Sequence, residues 1–139
     1  MSDIERFEGF KQKLIDYNEA RYGEEIRRKY GDSAVERSNA KVRGMSEAQY
    51  AEAERLSLEV NKTLKAAFEQ GDPSSKLAQK ACDLHRQWLC CYWDSYSKQA
   101  HLGLAQMYVD DLRFTEYYDN IAPGCAVFIR DAVRIYCEE

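Results

Sequence analysis

The chain is poor in breakers. Two prolines and seven glycines punctuate 139 residues. No apolar run approaches the roughly 18 residues that a membrane span requires. The opening MSDIERFEGF has no apolar signal core, so the chain is expected to be cytoplasmic. Basic excess is missing too. The net charge is −4 and no basic stripe runs along any predicted helix, which argues against direct contact with nucleic acid. The five cysteines are odd in number, with Cys90 and Cys91 adjacent and no paired CxxC, so no disulfide framework is expected. No phosphate-binding glycine loop, HExxH or GxSxG is present, and no enzyme activity is expected.

What remains is a soluble, core-forming composition, 45% hydrophobic and 32% charged. Apolar residues recur at spacings of three and four throughout, and no strand alternation is found. Phe7, Phe10, Leu14 and Tyr17 make one helical face, continued by Tyr22, Ile26 and Tyr30 up to Gly31. Ser33-x-x-Glu36 and Ser46-x-x-Gln49 read as capping boxes. The latter opens a helix with a stripe of Leu56, Val60, Leu64 and Ala67. Gly71-Asp72-Pro73 is the sharpest boundary: a stop, a cap and a first helical residue. The next helix has two apolar faces, one with Leu77, Ala81, Leu84, Trp88 and Tyr92, the other with Ala78, Cys82, His85, Leu89 and Trp93. It is therefore expected to be central. Asp94 to Ser97 breaks it. A helix from about Ser97 to Val109, a short helical turn over 110–121 and a last helix from Pro123 complete an all-α bundle of six to eight helices.

Residues 85–96, HRQWLCCYWDSY, concentrate the chemistry. Cys82, His85, Cys90, Cys91 and His101 could be zinc ligands, but their spacing matches no familiar finger. Either histidine could ligate haem, but a lone histidine on an apolar helical face is more often a satisfied core residue than an axial ligand. A Cys82–His85 thiol pair has no evident orienting carboxylate. No metal and no cofactor are expected. An aromatic binding cleft fits better. Trp88, Tyr92, Trp93, Tyr96, Tyr108, Phe114, Tyr117 and Tyr118 combine apolar faces with polar handles, and His85 and His101 can orient a ligand by hydrogen bonding. These ten residues are the candidate site.

HRQWLCCYW together with AHLGLAQMYVDDLRFTEYYDNIAPGCAVFIRDAV closely resembles the antibiotic-recognition (TipAS) domain of thiostrepton-induced regulators of the MerR family. His85-Arg86-Gln87, Met107-Tyr108-Val109, Arg113-Phe114-Thr115, Pro123-Gly124 and Arg130-Asp131-Ala132 carry the resemblance. YGEEIRRKYGD and VRGMSEAQYAEAE extend it toward the start of the chain. It implies a globin-like, haem-free bundle and a cleft for bulky multi-ring antibiotics. It further implies one domain over 1–139, with residues 73–139 as aromatic core and cleft and residues 1–45 as a mobile lid that orders on ligand. Family members of this kind capture dehydroalanine tails with a cysteine. Counted without gaps between His85 and His101, that position is Tyr96 here, so binding is expected to be reversible. Such regulators carry a winged helix-turn-helix and a dimerising helix ahead of this domain, and neither is found after Met1. The chain is therefore expected to sequester drug, or to be the ligand-sensing part of a transcriptional activator.

The charge density of residues 1–50 agrees with the lid, because a charged helix with a thin apolar stripe is marginal alone. Amide hydrogen exchange without ligand is expected to be faster over 1–45 than over 73–139. Equal protection in both would refute the lid.

Overall fold

A computed structural model describes residues 3–24, 27–28, 31–93 and 95–138. The described residues form α1 (Asp3–Asn18), a π-helical turn (Glu19–Gly23), α2 (Asp32–Arg43), α3 (Glu47–Gln70), α4 (Lys76–Tyr92), α5 (Lys98–Asp110), α6 (Leu112–Asp119) and α7 (Cys125–Glu138). They contain no strand, as the 3.6-residue periodicity requires. None of the described helices is long and apolar enough to cross a membrane. The chain divides into two compact units. One takes residues 1–52 with 91–94, the other 53–90 with 95–139.

In the first unit the buried face of α1 differs from the expected stripe. Phe10 and Tyr17 are exposed, whereas Lys11 and Ile15 are buried. Lys11 is only 3% exposed because its stem fills an apolar site while its ammonium finds oxygen. Lys11 Nζ donates to the carbonyls of Arg43 at 2.5 Å and Met45 at 2.8 Å. It thereby satisfies carbonyl oxygens left over where α2 ends. Phe7 and Phe10 instead pack edge-on to Tyr50, at 6.0 and 5.2 Å. The continuation expected at Tyr22, Ile26 and Tyr30 lies outside the described residues and side chains.

Arg27 gathers Glu19, Asp32 and Glu36, and Asn39 also donates to Glu19. Arg27 holds the Glu19 carboxyl below its ordinary pKa, and Glu19 in turn raises the guanidinium. The Ser33–Glu36 capping box does not form. The helix starts two residues earlier, after Gly31, whose φ of 88° suits glycine. Glu36 is drawn to Arg27 instead. The Ser46–Gln49 box does form, with both reciprocal bonds present at 2.8 and 3.1 Å.

The second unit has a continuous core. Leu64, Phe128, Ile129 and Val133 fill its volume, and Ala67, Ala78, Ala81, Ala105, Ala126 and Ala132 let the helices approach closely. Gly71 ends α3 at φ 78°, with its N–H on the Phe68 carbonyl at 3.0 Å. The following helix begins later than Pro73, at Lys76. Asp72 binds Ser74 within the turn, and the Ser75 hydroxyl caps α4 by accepting from Ala78 N–H at 3.1 Å. Likewise α7 begins at Cys125 rather than Pro123, with the Asp119 carboxylate accepting from Ala126 N–H at 3.0 Å. Of the two apolar faces expected on α4, one buries Ala78, Cys82, His85 and Leu89, whereas the other buries only Ala81 and leaves Leu77, Leu84, Trp88 and Tyr92 half-buried.

Replacing Lys11 by methionine keeps the apolar stem and strips two carbonyls of their donor. Urea unfolding is expected to show a loss of about 1–3 kcal/mol. No loss would mean that water meets those carbonyls.

Candidate functional site

The second unit carries a buried polar chain at the candidate site. Its geometry begins with local signals. Ser97 caps α5, its hydroxyl accepting from Ala100 N–H at 3.0 Å. One turn into α5, His101 is brought opposite His85 of α4. Their facing nitrogens, His85 Nδ1 and His101 Nε2, are hydrogen-bonded at 2.8 Å. His101 Nδ1 meets the Tyr96 hydroxyl at 2.7 Å, and His85 Nε2 meets the Tyr108 hydroxyl at 2.9 Å. All four ring nitrogens are thus used inside the protein. The two imidazoles and Tyr108 are fully buried, whereas Tyr96 is only half-buried.

Burial governs their charge. His85 is pushed down to about 3, by loss of water first and by His101 second. His101 is pushed down to about 4, by burial first and by the positive charge of Arg86 second. Both rings are neutral at pH 7, as a pair facing each other across 2.8 Å requires.

An aromatic shelf adjoins Tyr108. The Thr115 hydroxyl donates to the Tyr108 carbonyl at 2.6 Å. The Asp111 carboxylate caps α6 by accepting from Arg113 N–H at 3.0 Å. This tight corner turns Phe114 and Tyr118, four residues apart on one face of α6, onto the Tyr108 ring at centroid distances of 5.6 and 4.4 Å. Tyr117 lies edge-on to Tyr118 at 4.9 Å, is 49% exposed, and accepts from the Asn61 amide at 3.0 Å. Trp88 is half-buried beside His85 at 5.6 Å.

Eight of the ten candidate residues therefore belong to the second unit: His85, Trp88, Tyr96, His101, Tyr108, Phe114, Tyr117 and Tyr118. Tyr92 and Trp93 are half-buried and belong to the first unit, where Lys41 Nζ donates to the Trp93 carbonyl at 2.7 Å.

Sequence reasoning missed a second polar cluster. The Tyr136 hydroxyl donates to Asp83 Oδ1 at 2.7 Å, Arg86 Nε donates to the Tyr136 oxygen at 3.0 Å, and the Gln87 amide donates to Asp83 at 2.9 Å. The Tyr136 bond is the main cause of a lowered Asp83 pKa. The Tyr136 ring lies edge-on to His101 at 5.9 Å. Only the 83, 86, 87 spacing on one helix hinted at this group. The zinc and thiol alternatives lose their histidines to the buried chain. Among the described residues, no group of three or more His, Cys, Asp or Glu is placed to hold a metal ion.

Comparison with known proteins places the chain. Residues 22–136 match the TipAS antibiotic-recognition domain. The chain is 30% identical over 131 residues to the HTH-type transcriptional activator TipA of Streptomyces coelicolor, covering 93% of this chain and 50% of that protein. It is 25% identical over 138 residues to the HTH-type transcriptional activator mta of Bacillus subtilis, covering 99% of this chain and 53% of that one. The chain thus spans about half the length of the curated relatives it matches. In structure it is similar to Streptomyces lividans TipAS in complex with nosiheptide, described as part of a thiopeptide antibiotic multidrug resistance system. The TM-score is 0.72 at 26% identity, over 99% of this chain and 95% of that one.

Because both histidines are neutral when folded and ordinary when unfolded, the unfolded chain binds more protons below about pH 6.5. Their contribution is complete above that pH and is lost as pH falls toward 3–4. Urea unfolding between pH 7.5 and 4.5 is expected to show stability falling by about 1.4 kcal/mol per pH unit for each histidine below pH 6.5. A flat profile would mean that the rings reach water.

Proposed function

The chain is a member of the TipAS family of antibiotic-recognition domains, and from that premise we propose that it binds bulky multi-ring antibiotics of the thiopeptide type and acts by binding, not catalysis. The observation that carries this reading is the likeness, across 99% of the chain, to a TipAS structure holding nosiheptide. The site chemistry supports it. Trp88, Tyr96, Phe114 and Tyr117 offer part-exposed aromatic surface in the second unit. The buried His85, His101, Tyr108 and Tyr118 brace that surface from behind. Burial of apolar ligand area would supply about 25 cal/mol per Å² before association costs. Residues 1–45 are read as the segment that orders when ligand binds. The protein works in the cytoplasm, where it lowers the free drug concentration by sequestration.

Binding is reversible in this reading. Burial pushes the Cys82 thiol up to about 12 and Cys125 to about 11, and raises Cys137. Such thiols stay protonated and are poor nucleophiles. The position where related domains place their capturing cysteine holds Tyr96.

A second reading is favoured by the relatives being HTH-type transcriptional activators about twice this length. In it, the chain is the ligand-sensing part of such an activator, and ligand-driven ordering is relayed to an attached DNA-binding part. The reading frame upstream of Met1 separates the two.

Tryptophan fluorescence titrated with nosiheptide and a panel of other multi-ring antibiotics is expected to change saturably at micromolar ligand or below, through Trp88 and Trp93. A flat response across the panel would refute binding. Mass spectrometry after incubation with a dehydroalanine-containing thiopeptide is expected to show the unmodified protein mass, and a stable adduct would refute reversibility.

A further inference from the structure

The buried chain Tyr96–His101–His85–Tyr108 has no break, with contacts of 2.7, 2.8 and 2.9 Å. Each neutral ring has one N–H and one lone pair. At the His–His contact an N–H must face a lone pair. The two histidines are therefore obliged to share a tautomer. If both carry the proton on Nε2, Tyr96 donates to His101 and Tyr108 accepts from His85. If both carry it on Nδ1, Tyr108 donates to His85 and Tyr96 accepts from His101. Every ring nitrogen is satisfied in either state, and only protons shift between them.

The ends of the chain suit both states. Both ends are tyrosine hydroxyls, Tyr108 on His85 and Tyr96 on His101. Hydroxyls both donate and accept. Tyr96 is also the one of the four that is not fully buried, and it sits in the connection between α4 and α5.

We infer that the His85–His101 pair is a two-way hydrogen-bond relay that lets the Tyr96 hydroxyl meet either a donor or an acceptor on a bound antibiotic. This rests on the binding function proposed above and adds a specificity device to it. In the Nε2–H state Tyr96 spends its proton on His101 and can only accept from a ligand. In the Nδ1–H state it accepts from His101 and offers its O–H. A fixed donor would reject half of the possible polar partners. A reversible one admits ligands of opposite hydrogen-bond sense without leaving a buried nitrogen unmet.

Two-bond ¹H–¹⁵N correlation spectra of the imidazoles in labelled protein test the relay without ligand. In the wild type, His85 and His101 are expected to show one shared tautomer or one shared mixture. An orphaned buried N–H is rarer in proteins than an unmet acceptor. Tyr96→Phe is therefore expected to shift both rings toward Nε2–H, and Tyr108→Phe to shift both toward Nδ1–H. Unequal tautomers in the wild type, or a shift confined to the ring beside the substitution, would overturn the relay. The wild-type spectrum decides this even if a variant does not fold. The fluorescence titration keeps the two readings apart. Joint tautomer shifts with no antibiotic bound by any panel member would leave the relay and remove the binding function. Binding with independent tautomers would do the reverse.

Discussion

The contact between two neutral, buried imidazoles, His85 Nδ1 to His101 Nε2 at 2.8 Å, is the constraint on which the second unit depends. Two rings removed from water present four nitrogens, and each needs a partner inside the protein. One contact satisfies two of them. The remaining two require a hydroxyl at each end, which Tyr96 and Tyr108 provide. A shift of α5 along α4 by one residue would misplace both bonds that cross between them, His85 to His101 and His85 to Tyr108, so the polar chain sets the register of the two helices. Leucine at both histidine positions would bury as well but would tolerate several registers.

From that register the aromatic shelf follows. Tyr108 is held at both ends, by His85 at its hydroxyl and by Thr115 at its carbonyl. Phe114 and Tyr118 then have a fixed ring to pack against. Alanines at six core positions allow this closeness, because larger side chains would hold the helices apart. A rigid aromatic surface loses little conformational entropy when a flat ligand settles on it, which fits a family that recognises antibiotics.

The first unit is stabilised differently. Its described contacts are rich in charge: Arg27 with three carboxylates, and Lys11 with two carbonyls and Glu8. Exposed ion pairs each contribute little, since water and salt screen them. The buried Lys11 is the exception, because its ammonium replaces water at the end of α2.

By itself, the sequence determined the all-α class, the Ser46 cap and the breaks at Gly71 and between α4 and α5. Periodicity and capping chemistry act over three or four residues, and those distances are set by the helix alone. The resemblance carried by the HRQ stretch and the Tyr108–Phe114 region also points to the TipAS family, whose model matches residues 22–136. Tertiary structure decided the rest. Lys11 lies off the apolar stripe that the spacing gives α1, and it is buried because α2 ends beside it. Asp72 reads as the cap of α4, and the path of the turn gives that role to Ser75 instead. Asp83, Arg86 and Tyr136 become one cluster only when α7 lies along α4. His85 and His101, 16 residues apart, read as two separate ligands in search of a metal, a haem or a drug. The crossing of α4 and α5 makes them partners of each other. Such bonds join residues on different helices, and their existence depends on where the helices cross, which no local pattern encodes.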